Sequence, residues 1–186
     1  ASTVYSSITG DYGGLQMPAV YGDNMVLQRE KALVLKGIAN SGEKVAVEIG
    51  KQKKKAVAGA DGRWQVVLDP MKAGGPYELS VKTAGKSLVF KNVLIGEVWL
   101  CSGQSNMAFM VKQAAGAKEA IAQSANDRIR LYDMKPRVYT NAVSWDTTDL
   151  LLLNRLDHYL PASWKSAAPE SVRDFSAVAY YFGKML

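Results

Sequence analysis

The sequence predicts a β-sandwich followed by the opening part of an α/β domain. Two observations carry this expectation. From Leu15 to Phe90, short β-rich segments recur every 8–12 residues or so with turn signals between them. Near Asn92 the texture changes: a longer apolar run, Val93 to Cys101, is followed by a helix-compatible segment and then by another β-rich one. The expected division is residues 1–92 for the N-terminal segment and sandwich, and 93–186 for the α/β part.

The first half reads strand by strand. Leu33 to Ala39 is β-rich and stops at the turn cluster Asn40-Ser41-Gly42. Lys44 to Gly50 alternates with period two, which sets Val45, Val47 and Ile49 on one face. Lys55 to Ala58 is its expected partner. Asp61-Gly62 is a tight-turn signal leading into Trp64 to Leu68. Ala73-Gly74-Gly75-Pro76 is read as another turn, before the strand Tyr77 to Lys82. Ala84-Gly85-Lys86 then turns into Ser87 to Phe90.

In the second half, Val93 to Cys101 carries apolar residues on both faces, as a buried parallel strand does. Met107 to Ala125 is helix-compatible, with Gly116 its weak point. Arg128 to Met134 reads as a second strand, so the order is strand, helix, strand, a βαβ unit. Pro136 to Pro169 is expected to be irregular. Asp174 to Leu186 reads as an N-capped helix with Phe175, Val178, Ala179 and Phe182 on one face. Two strands and two helices are too few for a doubly covered sheet, so this domain is expected to be completed by material outside the chain.

Composition narrows the function classes. Of 186 residues, 48% are hydrophobic and 22% charged, as in an ordinary globular chain. No apolar run approaches the roughly 20 residues that span a bilayer. Ala1 to Gly10 holds neither a basic nor an apolar leader region, so no signal peptide is expected there. The net charge is +6, with much of the excess in Lys51, Lys53, Lys54 and Lys55. No aromatic residue interleaves with these lysines, so an edge strand blunted by solvated charge is preferred to a nucleic-acid patch. The one cysteine, Cys101, excludes an internal disulfide and a cysteine-based zinc site, and its place in the apolar run predicts a buried small hydrophobe.

The chemistry gathers at Gly96-Glu97-Val98-Trp99-Leu100-Cys101-Ser102-Gly103-Gln104-Ser105-Asn106-Met107. Here an apolar run ends abruptly in small and polar residues. A serine at a strand-to-helix junction is pushed into the open beside the unpaired N–H groups of the helix start. Such N–H groups can hold a developing oxyanion, which serine-based acyl transfer requires. Gly103 is expected to give the backbone room to turn sharply. Against a G-x-S-x-G elbow, Met107 replaces the second glycine, so the pattern is related in logic only. Ser105 or Asn106 could equally serve only as a helix N-cap.

The same dodecapeptide resembles the signature of the sialate O-acetylesterase family, within the wider serine–glycine–asparagine–histidine (SGNH) hydrolases. Pro18-Ala19-Val20 and Asp23-Asn24-Met25-Val26-Leu27-Gln28 resemble that family's opening segment, and Phe175 to Phe182 resembles a helix that follows its first strands. The resemblance implies an α/β fold class: an N-terminal β-sandwich followed by the first part of an SGNH-type three-layer α/β hydrolase domain, incomplete in this chain. It implies removal of O-acetyl groups from sialic acid or related acetylated sugars, with Ser105 as nucleophile. Gln104 and Asn106, flanking it, are candidate substrate-binding residues. No metal or cofactor is called for. The family's base is a histidine in a C-terminal Asp-x-x-His motif, which cannot be placed here, so a complementary C-terminal segment or chain is an implied partner. A periplasmic or extracellular location follows from the resemblance alone.

His158, preceded by Asp157, stands where that family does not keep its base, and neighbouring residues do not easily form an orienting pair; a loop or rim position is expected. Trp99 is read as core. Trp145 and Trp164 could stack on a sugar or pin the long loop to the body. The competing function is a non-catalytic carbohydrate-binding β-sandwich module, suggested by the strand-rich first half and the missing base.

Overall fold

The computed structural model describes residues 14–137, 147–154 and 158–186. The strands are β1 (Val26–Gln28), β2 (Leu33–Ile38), β3 (Lys44–Ile49), β4 (Gln52–Val57), β5 (Arg63–Leu68), β6 (Gly74–Lys82), β7 (Ser87–Gly96), β8 (Asn126–Tyr132) and β9 (Trp164–Ala167). The helices are α1 (Ala117–Ala122), α2 (Thr147–Asn154), α3 (Pro169–Val172) and α4 (Ala177–Met185), with a 3₁₀ turn at Val111–Gln113.

Alternation decides the first half. In β3 the residues Val45, Val47 and Ile49 are buried while Lys44 is exposed, and β5 buries Trp64, Val66 and Leu68 by the same rule. Five strands form one sheet in the order β1-β7-β6-β3-β4; β2 and β5 form a second, antiparallel sheet. Both sheets face one core, in which Leu15, Met25, Leu35, Leu79, Val81 and Val93 are also sealed from solvent. Each such fully buried aliphatic side chain contributes about 1.5–3 kcal/mol. At one margin the sheets curl together. The Gln52 amide of β4 donates to the Asp69 carbonyl at 3.0 Å and accepts from the Asp69 N–H at 2.8 Å, and Lys54 pairs with the Asp69 carboxylate at 3.2 Å. The lysines Lys53, Lys54 and Lys55 lie on β4, at the end of the five-strand order, where charge discourages further pairing.

Two details differ from the expected strands. Gly74, Gly75 and Pro76 belong to β6 rather than to a turn: Gly75 takes φ 126° before a cis peptide to Pro76, and a Cβ there would press on the Val93 carbonyl at 2.8 Å. Strand β7 also runs through the 92/93 position and pairs there with β1 in parallel, Val26 opposite Leu94 and Gln28 opposite Gly96.

The second half departs further. The expected βαβ unit is absent among the described residues, because β8 pairs antiparallel with β9, Tyr132 opposite Trp164 and Leu131 opposite Lys165. The helix expected over Met107 to Ala125 is a turn at 104–108, the 3₁₀ turn, and the six-residue α1, which starts behind Gly116 at φ 72°. Gly116 stands in a left-handed conformation at the N-cap of α1, so the helix begins only after it. The span from Pro136 to Pro169 is not wholly irregular, since it holds α2 and β9. The final helix is present, but Ser176 caps it, its side chain accepting from the Ala179 N–H at 3.4 Å, and it buries Ala177, Ala179 and Tyr180 while Val178 and Phe182 stay exposed. With Val111, Leu131, Ala167 and Val172, Ala177 and Tyr180 make a second, smaller core.

An arginine joins the two cores. Arg130 of β8 donates to Ser166 Oγ at 2.6 Å, to Asn24 Oδ1 at 3.3 Å and to Asn92 Oδ1 at 3.3 Å. Asn24 and Asn92 both hold positive φ and bond each other at 2.7 Å. Trp164 of β9 packs against the first core, meets the Tyr132 ring at 5.2 Å and donates from Nε1 to the Val20 carbonyl at 2.7 Å. Trp164 thus pins the hairpin to the body. Trp145 and Asp157 lie outside the described residues.

Candidate active site

The path to Ser105 starts at the β1–β7 pair. Arg29, just past β1, donates from Nε to Glu97 Oε1 at 2.6 Å, and Gln28 Nε2 donates to Glu97 Oε2 at 3.0 Å. Gln28 Oε1 in turn accepts from the Val98 N–H at 3.0 Å. The Gln28 amide and the Arg29 guanidinium hold the Glu97 carboxyl below the usual carboxylate range. These contacts bring together the two segments whose sequences first marked the chain, and neither Gln28 nor Arg29 was singled out as a site residue.

Beyond Gly96 both neighbours of β7 stop. The last β1 pair is Gln28 with Gly96, and β6 begins at Gly74, opposite Ile95. Glu97 to Gly103 continues without strand pairing and is exposed throughout. This corrects the expectation of one buried strand from Val93 to Cys101. Leu100 is 89% exposed, Trp99 is exposed rather than core, and Cys101 is an exposed free thiol rather than a buried hydrophobe. A strand is buried only if other strands flank it, and among the described residues none does.

Ser105 lies in the turn that follows. The Met107 and Ala108 N–H groups donate to the Gln104 carbonyl at 2.9 and 3.3 Å, and the Phe109 N–H to the Asn106 carbonyl at 3.3 Å. As the first residues of a turn, Ser105 and Asn106 keep their own N–H groups out of this pattern, and among the described residues neither donates to another backbone group. Gln104, Ser105 and Asn106 are all exposed. The expected trio is therefore brought together on one tip, with an accessible hydroxyl beside two available N–H donors. Gly103 is not in a left-handed conformation. A Cβ there would meet Met107 Cβ at 3.4 Å, a snug contact rather than a collision, so the turn does not require glycine.

The turn is tied down from behind by α4. Ser176 Oγ donates to the Met107 sulfur at 3.2 Å, and the Ala177 N–H donates to the Phe109 carbonyl at 2.8 Å. The Val111 N–H donates to Phe175, and Lys112 pairs with Asp174 at 2.7 Å. On the near side, Trp99 packs edge-on against Phe182. Ser176 could have been found from the preference of serine for helix N-caps; the remaining contacts carry no short-range signal.

Among the described residues no titratable side chain hydrogen-bonds the serine. Among the described residues the Ser105 hydroxyl has no hydrogen-bond partner. His158 is an exposed residue whose carbonyl accepts from the Arg137 N–H at 2.9 Å and whose ring lies 6.5 Å from that of Tyr159. No group of three or more histidine, cysteine, aspartate or glutamate side chains is placed to hold a metal ion among the described residues.

No family model matches the chain. Individual proteins do. The sialate O-acetylesterase of Rattus norvegicus is 32% identical over 185 residues, which is 90% of this chain and 32% of that protein. That of Pongo abelii is 30% identical over 190 residues, 93% of this chain and 34% of that protein. The crystal structure of a carbohydrate acetylesterase from Xanthomonas citri matches with a TM-score of 0.76 at 29% identity, covering 92% of this chain and 37% of the other. The chain thus spans about a third of the length of the curated relatives it matches. Over that span, and through nearly all of its own length, it is a homologue of the sialate O-acetylesterases.

Proposed function

We propose that this chain is the nucleophile-bearing part of a carbohydrate O-acetylesterase acting on sialic acid or related acetylated sugars through a serine acyl-enzyme. The observation that carries the proposal is Ser105, an accessible hydroxyl with unclaimed N–H groups at its side, inside a chain related to acetylesterases. In this reading residues 1–92 are an N-terminal segment and a β-sandwich, and residues 93–186 open an SGNH-type domain. Its catalytic histidine and aspartate come from polypeptide outside these 186 residues, and the enzyme works in the periplasm or outside the cell.

The chemistry follows from those parts. Ser105 Oγ attacks the acetyl carbonyl carbon as the histidine takes its proton. The tetrahedral oxyanion is held by the Ser105 N–H together with donors from the remainder of the enzyme. The bond from that carbon to the sugar oxygen then breaks, and the sugar oxygen takes the proton from the imidazolium. Water, deprotonated by the same histidine, attacks the acetyl-serine and releases acetate. In this reading Gln104 and Asn106, beside the nucleophile, bind the substrate. Without the base, the 186-residue chain should hydrolyse esters little faster than background.

The test is turnover of p-nitrophenyl acetate and of O-acetylated sialic acid by the protein at its full encoded length, with and without Ser105→Ala. Loss of at least about a thousandfold in kcat supports the reading. Unchanged turnover removes Ser105 from the mechanism, and glycan binding with no turnover in any form points instead to a binding module.

A further inference from the structure

The outer face of the five-stranded sheet carries more positive charge than its edge requires. The alternation that buries Val45, Val47 and Ile49 turns Lys44, Ala46 and Glu48 outward from β3. Register fixes their neighbours on that face. Lys55 of β4 stands on one side of Ala46 and Lys82 of β6 on the other, with Ser87 of β7 beyond Lys82. Lys55 and Lys82 are thus two interstrand spacings apart, about 10 Å, and Lys44 lies two residues along β3 from the alanine between them. All three lysines are exposed, and among the described residues no ion pair holds any of them. The carboxylate of Glu48 is taken by Lys53 at 2.5 Å, and the other acid of this face, Glu78, lies two residues along β6 from Ser80. Charge on β4 guards the open edge, but β3 and β6 each have a strand on both sides, so edge protection does not account for Lys44 or Lys82. Like charges this close repel, which costs the folded state unless a counter-charge is brought.

We infer that this face docks a carboxylate-bearing polysaccharide, the ammonium groups of Lys44, Lys55 and Lys82 pairing with acid groups of a chain laid across the strands. That the polyanion is a glycan rests on the esterase reading above. Charge complementarity and the shape of the face carry the rest. Between the lysines the floor is made of small side chains, Ala46, Ser80 and Ser87, so an extended polymer can lie against it within reach of the longer ones. The exposed Ser87 hydroxyl can both donate to and accept from a sugar hydroxyl. Lysine suits the task, being a compact point charge on a flexible stem that follows a polymer of loose geometry. No aromatic side chain stands among these positions to stack on bases or to enter a membrane interface, which favours a glycan over nucleic acid or a bilayer.

The test titrates the protein at its full encoded length with fluorescently labelled polysialic acid, a polymer of carboxylate-bearing sugars. Uncharged dextran, single-stranded DNA and phosphatidylserine vesicles are titrated alongside. Polysialic acid should bind, more weakly as salt rises, and dextran should not. Lys44→Gln, Lys55→Gln and Lys82→Gln together should weaken binding at least about tenfold, the loss of three exposed ion pairs. The three arginine counterparts should restore it. Lys72→Gln, Lys118→Gln and Lys165→Gln remove the same charge away from this face and should change binding by less than about twofold. Neither glutamine set should move the unfolding midpoint or the turnover of p-nitrophenyl acetate. Absence of binding overturns the inference, as does an equal loss in the two glutamine sets. Tighter binding of DNA or of vesicles through the same three lysines also overturns it, in favour of that partner. The esterase reading fails separately: turnover unchanged by Ser105→Ala would defeat it, while binding of polysialic acid through these lysines would leave the docking face standing.

Discussion

Trp99 meets Phe182 edge to face, with ring centroids 5.2 Å apart and planes at 84°. One ring belongs to the segment before Ser105 and the other to α4, so the pair fastens that segment against the helix. Edge-to-face pairs contribute about 0.5–1.5 kcal/mol beyond area burial. A double-mutant cycle of Trp99→Leu and Phe182→Leu should return a coupling energy in that range from urea unfolding. Purely additive losses would show that the rings touch without fastening anything.

Among the described residues the Ser105 hydroxyl makes no hydrogen bond. Ser105→Ala should therefore leave stability within about 0.5 kcal/mol of the parent, as for a surface change away from structural features. Thermal unfolding of the chain measures this independently of activity. A clear destabilisation would mean that the hydroxyl caps or braces the turn.

The Glu97 carboxyl is held below its ordinary range first by the Gln28 amide and then by Arg29. A depressed folded value means that ionised Glu97 favours the folded state above the usual carboxylate pKa of about 4.3, and that this contribution is lost as pH falls through the lower folded value. Glu97→Gln should be less stable than the parent at pH 7, and the gap should narrow by pH 3. Urea midpoints at the two pH values check this, and a gap that does not change with pH would contradict it.

Gly37 sits in β2 where a Cβ would collide with the Gln16 carbonyl and come within 2.6 Å of Trp64 Cζ2. Gly37→Ala should cost about 1–3 kcal/mol by forcing the indole to shift. Gly85→Ala is the control, since nothing lies within 4 Å of its added Cβ. Equal unfolding midpoints for the two variants would refute the crowding.

Arg130 is a polar link between the two cores, and its removal leaves Asn24, Asn92 and Ser166 without their shared donor. Arg130→Ala should cost about 1.5–3 kcal/mol, the usual scale for hydrogen bonds to a charged group. Arg130→Lys should recover only part of it, because an ammonium lacks the planar fork that reaches three acceptors. Full recovery with lysine would reduce the link to simple charge.

The first half of the fold was legible because its information is local. Val45, Val47 and Ile49 alternate, and Asn40-Ser41-Gly42 and Asp61-Gly62 punctuate, so β2, β3 and β5 could be read within a residue or two, while β1 was not read and β4, β6 and β7 run three or more residues past their expected ends. The second half hid its information in pairings. Trp164-Lys165-Ser166-Ala167 has weak strand propensity and becomes β9 only because Tyr132 and Leu131 lie opposite. The helix expected from Met107 forms only past Gly116, which stands in a left-handed conformation at the N-cap of α1, while turns occupy the residues before it. At the site, the serine turn was legible from its small polar residues. Its anchors on α4 and the Gln28–Arg29–Glu97 contacts were not, because they join residues about seventy positions apart.

The parallel pairing of β1 with β7 has a kinetic consequence. Val26 leaves the ribosome before its partner Leu94, which is made 68 residues later by the difference of their numbers. At synthesis rates of about 5–20 residues per second, β1 waits on the order of 3–14 s with no strand to join. Contacts so distant along the chain also slow spontaneous refolding. The β1 segment should accordingly be the last piece of the five-stranded sheet to become ordered, and until then the stretch most open to capture by a chaperone.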